Sequence, residues 1–90
     1  MSLDAFLRAF DTLPDGGFTG CSNGKRYNVV KRVSGACQSL LAEEMGGRDY
    51  ISYNLYRLTS GARLKPCEMS RAKVIDFTLS LEVENSPLSQ

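Results

Sequence analysis

Asp49–Leu58 reads DYISYNLYRL and decides the fold, because its apolar and polar positions alternate as in a β-strand. Ile51, Tyr53 and Leu55 fall on one side, which we predict to be buried in a core. The other side is polar and aromatic, and it consists of Tyr50, Ser52, Asn54 and Tyr56. The stretch therefore predicts a sheet that packs on one face and presents a binding surface on the other.

The composition is that of one small globular domain. Apolar residues make up 42% of the 90 residues and charged residues 23%, so we predict one domain at residues 1–84 and a disordered tail at residues 85–90. No apolar run approaches the roughly 20 residues that span a membrane. The first residues also lack the basic region of a signal peptide. We therefore expect a cytoplasmic protein with no membrane partner, and its compactness suits a bacterial origin.

The chain has no histidine, which removes histidine-dependent nucleophiles, imidazole metal ligands and the commonest general base. Its three cysteines, Cys21, Cys37 and Cys67, form no CxxC pair, so we expect reduced thiols rather than a zinc site. Glu43 and Glu44 point to opposite faces if they lie in a strand, and they are interpreted as solvated charges beside a turn. We predict no catalytic residue, no metal and no cofactor, and hence no enzyme.

The first half of the chain predicts a helix followed by a hairpin. Five apolar residues at helical spacing form one face of the helix, with Ser2 as its cap: Leu3, Phe6, Leu7, Phe10 and Leu13. Asn23-Gly24 is typical of a type I′ turn and joins a strand at Phe18–Ser22 to one at Lys25–Val33. Lys31 interrupts the apolar side of the second strand, so we expect a bulge near Val30.

The second half is less regular. Residues 36–45 suit either a helix or a strand, and the spacing of the turn signals favours the strand. A short strand at Ala62–Leu64 follows, and a helix from about Arg71 to Leu81 begins at the cap Ser70. The predicted fold class is α+β, an antiparallel β-meander of three to five strands flanked by an N-terminal and a C-terminal helix, in the order α-β-β-β-β-α.

The basic residues concentrate in the middle of the chain. Residues 18–65 carry eight basic and three acidic side chains, a net charge of +5, whereas each end carries −2. A cationic surface with exposed aromatic rings is typical of proteins that bind single-stranded nucleic acid. The predicted binding residues are Tyr50, Asn54, Tyr56, Arg26, Arg32, Arg48, Arg57, Arg63 and Lys65. The alternative interpretation is an ordinary sheet surface with solvated arginines.

Two segments resemble a known family. Asp49-Tyr50-Ile51-Ser52-Tyr53 is similar to the third strand of the positive-cofactor-four type of transcriptional coactivator. Leu64-Lys65-Pro66-Cys67-Glu68, followed by the predicted last helix, resembles its final strand and helix. The resemblance implies a four-stranded meander that binds single-stranded DNA and dimerises through the helix. This chain departs from the family by adding an N-terminal helix and by lacking its tryptophan at the start of the last helix.

Two alternatives remain open at this level. The predicted last helix is apolar on two sides, with Ala72, Ile75 and Leu79 on one and Val74, Phe77 and Leu81 on the other. One side would pack on the sheet, so the other favours a protein-interaction module that forms a homodimer or binds a partner. The order helix, three strands, helix would instead be that of a double-stranded RNA-binding domain, faintly matched by Ser70-Arg71-Ala72-Lys73.

Overall fold

Two helices pack on one face of a six-stranded antiparallel sheet in the computed structural model, which describes residues 3–84. The elements in chain order are α1 (Asp4–Thr12), β1 (Gly16–Ser22), β2 (Lys25–Ser34), β3 (Cys37–Glu44), β4 (Tyr50–Leu58), β5 (Gly61–Pro66), α2 (Arg71–Ser80) and β6 (Glu82–Val83). The sheet order is β5-β4-β3-β2-β1-β6, so the first five strands form a meander and β6 returns to pair with β1.

The predicted class and the flanking helices are confirmed, but the number of strands was underestimated. Within residues 3–84 the sheet has six strands rather than three to five, and five of them lie between the helices. Five strands also exclude the order of a double-stranded RNA-binding domain. The strand that sequence reasoning missed, β6, has only two residues, too few for an alternating pattern to be recognised. Residues 36–45 form a strand, as the turn spacing favoured.

The β1–β2 hairpin turns at Asn23-Gly24, as predicted. Asn23 has a φ of 50° and Gly24 a φ of 82°, the two positive values that a type I′ turn needs. From this turn the β1–β2 register runs without interruption to the pair of Gly16 and Lys31. The predicted bulge near Val30 is therefore wrong, and Lys31 lies on the same buried side as Tyr27 and Val29.

Lys31 can occupy the buried side because it meets the end of α1. Its side chain is only 5% exposed, and its Nζ donates hydrogen bonds to the backbone oxygens of Phe10 and Leu13, both at 2.9 Å. The Nζ also lies 4.5 Å from the centre of the Phe10 ring. The last carbonyls of a helix carry partial negative charge and lack partners within the helix, so a cation there is stabilising.

The core lies between the sheet and both helices. It includes the alternate residues Ile51, Tyr53 and Leu55 of β4, which are at most 1% exposed. The centre of the Tyr53 ring lies 5.5 Å from the centre of the Phe6 ring and 6.1 Å from that of Phe10. The Tyr53 hydroxyl shares a 2.9 Å hydrogen bond with the Thr78 hydroxyl of α2. This one tyrosine thus contacts both helices. The predicted core side of Asp49–Leu58 is confirmed.

The helix starts differ in how they are capped. Ser70 caps α2 as predicted, because its Oγ accepts a 3.0 Å hydrogen bond from the backbone nitrogen of Lys73. At α1 the residue before the first helical turn is Leu3, which makes no side-chain cap. The predicted cap Ser2 and the predicted tail at residues 85–90 lie outside the described residues.

Candidate nucleic-acid interface

The sheet face opposite the helices carries no second layer among residues 3–84, and we call it the open face. It consists of the strand residues whose side chains alternate with the buried ones, so Tyr50, Ser52, Asn54 and Tyr56 of β4 all belong to it. The open face is the predicted binding side of Asp49–Leu58. Its residues on neighbouring strands form rows, because directly paired residues of antiparallel strands project to the same side.

Two neighbouring rows bring the basic residues together at one end of the open face. The first row runs from β2 to β5 through paired residues in the order Arg32, Ser39, Asn54 and Lys65. The next row runs in the order Ser34, Cys37, Tyr56 and Arg63. We call Arg32, Asn54, Tyr56, Arg63 and Lys65 the basic end. Arg32, Arg63 and Lys65 are exposed, whereas Asn54 and Tyr56 are half-buried between them.

A hollow of about 340 Å³ adjoins the basic end. Its polar lining comes from Arg32, Ser39, Ser52 and Asn54, and its apolar lining includes Val30 and Leu41. The Asn54 amide nitrogen lies 4.0 Å from the Cys67 sulfur, a weak contact. The hollow thus combines apolar surface with hydroxyl and amide groups, a mixture that is common in small-molecule sites.

The other end of the open face is not basic. Tyr50 is 40% exposed there, but its row passes through Glu43, Asn28 and Thr19. Arg26 lies at the same end and is paired with Glu84, through its Nε to Oε2 and its Nη2 to Oε1, both at 2.9 Å. A bidentate pair of this kind neutralises the arginine, so this end offers an anionic ligand little attraction.

Glu84 is held by three side chains. Besides Arg26, the Thr19 hydroxyl donates to it at 2.9 Å and the Cys21 thiol at 3.3 Å. These hydrogen bonds, the one from Arg26 first, lower the pKa of Glu84 from 4.5 to about 2. The Cys21 thiol responds in the opposite sense, since donation to Glu84 raises its pKa.

The remaining two predicted residues lie elsewhere. Arg57 projects to the helix side, as strict alternation in β4 requires, and its Nη2 donates to Asp11 of α1 at 3.0 Å. Arg48 is exposed in the connection between β3 and β4. The structure therefore brings five of the nine predicted residues together in the basic end and places Tyr50 and Arg26 at the far end of the same face.

The site residues that sequence reasoning missed lie on β2 and β3. Ser39 and Leu41 line the hollow, but predicting a strand at residues 36–45 does not give the register that places them beside Asn54 and Ser52. Val30 also lines the hollow, at a position where a bulge was expected. Alternation within the predicted strand at residues 36–45 groups Cys37, Ser39, Leu41 and Glu43 on one side, and this was the available signal.

A second polar cluster lies on the helix side and joins α2 to the sheet. The Tyr27 hydroxyl donates to Asp49 at 2.7 Å, and the Lys73 Nζ donates to the same carboxylate at 2.9 Å. The bond from Lys73, followed by that from Tyr27, lowers the pKa of Asp49, whereas burial raises the pKa of Tyr27. Each group thus has a partner, and the cluster anchors the first turn of α2.

The described residues hold no group of three or more cysteine, aspartate or glutamate side chains that could bind a metal ion. Cys21, Cys37 and Cys67 are free thiols. Neither helix within residues 3–84 is long and apolar enough to cross a membrane.

No protein-family model, curated protein sequence or solved structure matches this chain. The choice among possible functions therefore depends on the chemistry of its surface.

Proposed function

We propose that this protein binds single-stranded nucleic acid on the basic end of the open face. The observation that carries the proposal is the strand register, which groups Arg32, Arg63 and Lys65 around Asn54 and Tyr56. Arg32 is distant in sequence from the other four residues, and the five belong to three different strands. Cations around an accessible aromatic ring and an amide are what a single strand requires.

The three cations supply phosphate contacts. Arg32 and Lys65 stand at the two ends of a row that crosses four strands, a distance of about 14 Å at the usual strand spacing. A nucleic-acid strand that crosses the sheet along this row would contact a cation near each end of the row. Arg63 lies beside Lys65 on β5, so the positive charge is greatest at that edge.

The polar groups between the cations supply base contacts. Tyr56 offers a ring for stacking, and the Asn54 amide can donate to and accept from a base edge. The adjoining hollow has room for a base beside Ser39 and Ser52. Bases that are paired and stacked in a duplex do not present their faces to such a surface, so single strands are the favoured class.

The resemblance to positive-cofactor-four coactivators supports the same class of ligand. β2 to β5 form four consecutive antiparallel strands that lead into α2, which is the order that the resemblance implies. The resemblance implies that Tyr50 and the basic residues near it bind the nucleic acid. The clustering at Tyr56 favours that tyrosine over Tyr50 as the stacking residue.

Fluorescence anisotropy with a labelled single-stranded DNA of about 16 nucleotides, at about 50 mM salt, tests the proposal. We expect Tyr56→Ala to weaken binding by about 1–3 kcal/mol through lost stacking. Lys65→Ala should weaken binding of all sequences similarly and reduce the slope of log affinity against log salt by about 0.7.

Arg8→Ala is the matched control, because Arg8 is an exposed arginine on α1, on the opposite side of the sheet. It should leave both the affinity and the salt slope unchanged. No binding at this salt concentration, or an equal loss in the Arg8 and Lys65 variants, would contradict the proposal.

The alternative, a protein-interaction module acting through α2, has weaker support. α2 buries Val74, Phe77 and Thr78 against the sheet and α1, and Ile75 packs partly on the core. Its outer side exposes one large apolar side chain, Leu79, at 49%. A single exposed leucine is common on monomeric proteins, so dimerisation through α2 stays a prediction.

A further inference from the structure

The outer edge of β5 has no strand beside it among residues 3–84. In an antiparallel pair, residues that bond the neighbouring strand alternate with residues whose backbone groups point away. The Cys67 nitrogen donates to the Ser52 oxygen at 3.0 Å, which sets the phase of this alternation. Ala62 and Leu64 therefore direct their N–H and C=O groups outward, and none of these groups bonds another described residue.

Pro66 closes this edge, because it contributes a carbonyl but no N–H. The edge thus offers two donors and three acceptors, from Ala62 to Pro66, which suffices for a short added strand. The opposite edge of the sheet differs, since β6 already pairs there with Gly20 and Cys21 of β1.

A groove of about 390 Å³ runs along the β5 edge. Its apolar lining comes from Leu3, Ala62 and Leu64 on the helix side. Its basic lining comes from Arg63 and Lys65 on the open face and from Arg71, the first residue of α2, on the helix side. An added strand would turn alternate side chains to the two sides of the sheet, with one set beside Arg63 and Lys65 and the other beside the apolar groups and Arg71.

The charges at this edge argue against a second copy of the chain as the occupant. A second copy could continue the sheet by pairing its β5 with this one about a two-fold axis. If the axis passes at Arg63 or at Lys65, that residue lies opposite its own copy. If the axis passes at Leu64, Arg63 lies opposite the Lys65 of the second copy. Like charges directly opposite each other destabilise a strand pair. The same charges attract an acidic strand, since β5 contains no acidic residue.

We propose that the β5 edge binds an extended, acidic segment of a partner protein as an added strand. The segment alternates acidic residues, which face Arg63 and Lys65, with aliphatic residues, which face Leu3 and Ala62. Backbone hydrogen bonds to Ala62 and Leu64 provide the register, and the charges provide the selectivity. This inference does not depend on nucleic-acid binding, although Arg63 and Lys65 would serve both ligands.

Titration of the isotope-labelled full chain with a capped peptide of about nine alternating glutamate and valine residues tests the proposal by NMR. We expect amide shifts concentrated in β5. Ala62→Pro removes an outward donor and leaves the ladder to β4 intact, so it should weaken peptide binding about tenfold. It should leave the affinity for single-stranded DNA unchanged, which separates this proposal from the nucleic-acid interface.

Two control peptides keep the test independent of any variant's folding. A peptide with lysine in place of glutamate should not bind, and one with methyl groups on the edge-facing amides should bind at least about tenfold more weakly. Equal binding by any of these peptides, or by the Ala62→Pro variant, would overturn the proposal. So would a concentration-dependent dimer that Ala62→Pro abolishes, because a second copy would then occupy the edge.

Discussion

At the scale of single residues, Lys31 shows that one buried charged residue can make a regular β-strand look interrupted in the sequence. In the sequence it interrupts an apolar alternation and suggests a bulge. In the structure it continues the alternation, since its aliphatic stem crosses the core and its ammonium reaches the carbonyls at the end of α1. A lysine in a strand core can be tolerated because a helix terminus supplies the partners that solvent would otherwise provide.

We therefore expect Lys31→Met to destabilise the protein despite its similar shape. The substitution keeps the stem but removes the donors to the Phe10 and Leu13 carbonyls and the 3.6 Å ion pair with Asp15. The expected loss in the free energy of unfolding is about 1–3 kcal/mol, measured by urea denaturation. Lys25→Met, at an exposed position of the same strand, is the control and should change stability by less than about 0.5 kcal/mol. Equal effects of the two would refute the anchoring role.

Glu84 makes the folding stability of the protein depend on pH. Its pKa in the folded state, about 2, lies below its ordinary value of 4.5. The folded state thus binds a proton less readily than the unfolded state, so the contribution of Glu84 is present above pH 4.5 and is lost as the pH falls towards 2.

Thermal unfolding between pH 6 and about 2.5 measures this contribution. The unfolding temperature of the wild type should fall more steeply through this range than that of Glu84→Gln, which cannot titrate there. Other carboxylates, such as Asp49, are common to both proteins and cancel in the comparison. Parallel curves would show that Glu84 does not couple to folding.

At the scale of elements, the strands differ in how far the sequence specifies them. β4 alternates cleanly and is confirmed almost to its ends. β3 shows helix propensity but lies between β2 and β4, and pairing with both outweighs the local preference. β6 exists because residues 81–84 cross the edge of β1 next to a residue without a side chain, Gly20.

Gly20→Ala tests this close approach. A Cβ at Gly20 would lie 2.9 Å from the Glu82 backbone oxygen and from the Leu81 Cδ1, so residues 81–84 must move. We expect a loss of about 1–3 kcal/mol in the free energy of unfolding and faster hydrogen exchange at the Glu84 amide, which bonds Thr19.

The control for Gly20→Ala is Gly17→Ala in the same strand. There the nearest atom, the Val29 oxygen, would be 3.9 Å from the new Cβ, an ordinary contact. The Gly17 variant should retain both stability and slow exchange at Glu84. Slow exchange in the Gly20 variant would mean that β6 accommodates the methyl group without displacement.

At the scale of the whole molecule, placing both helices on one face leaves the other face of the sheet uncovered among residues 3–84. Tyr53 contacts α1 and α2 from the centre of the sheet, so the two helices and the sheet share one core. The open face is left for other uses, and its charge is divided between a basic end and an end where Arg26 is neutralised by Glu84. The net charge of +1 conceals this division.

Part of the candidate site could be predicted from the sequence, and the register explains the rest. Alternation in β4 was enough to place Asn54 and Tyr56 on one side and Arg57 on the other. Which cations lie beside Tyr56 depends on the pairing of β2, β3 and β5, and a shift by one residue would turn each of them to the other face. The residue pattern within one β-strand carries no such information. Arg26 and Arg32 therefore looked equivalent in the sequence, although only Arg32 joins the basic end.

The sequence by itself determined the α+β class, the two helices, the Asn23-Gly24 turn and the two faces of β4. These features depend on residues close together in the chain, where periodicity and φ preference act directly. Only the tertiary structure decided the burial of Lys31, the addition of β6, the pairing of Arg26 with Glu84 and the grouping of Arg32, Arg63 and Lys65. Each of these joins residues far apart in sequence, and their contacts exist only after the strands have paired and the helices have packed.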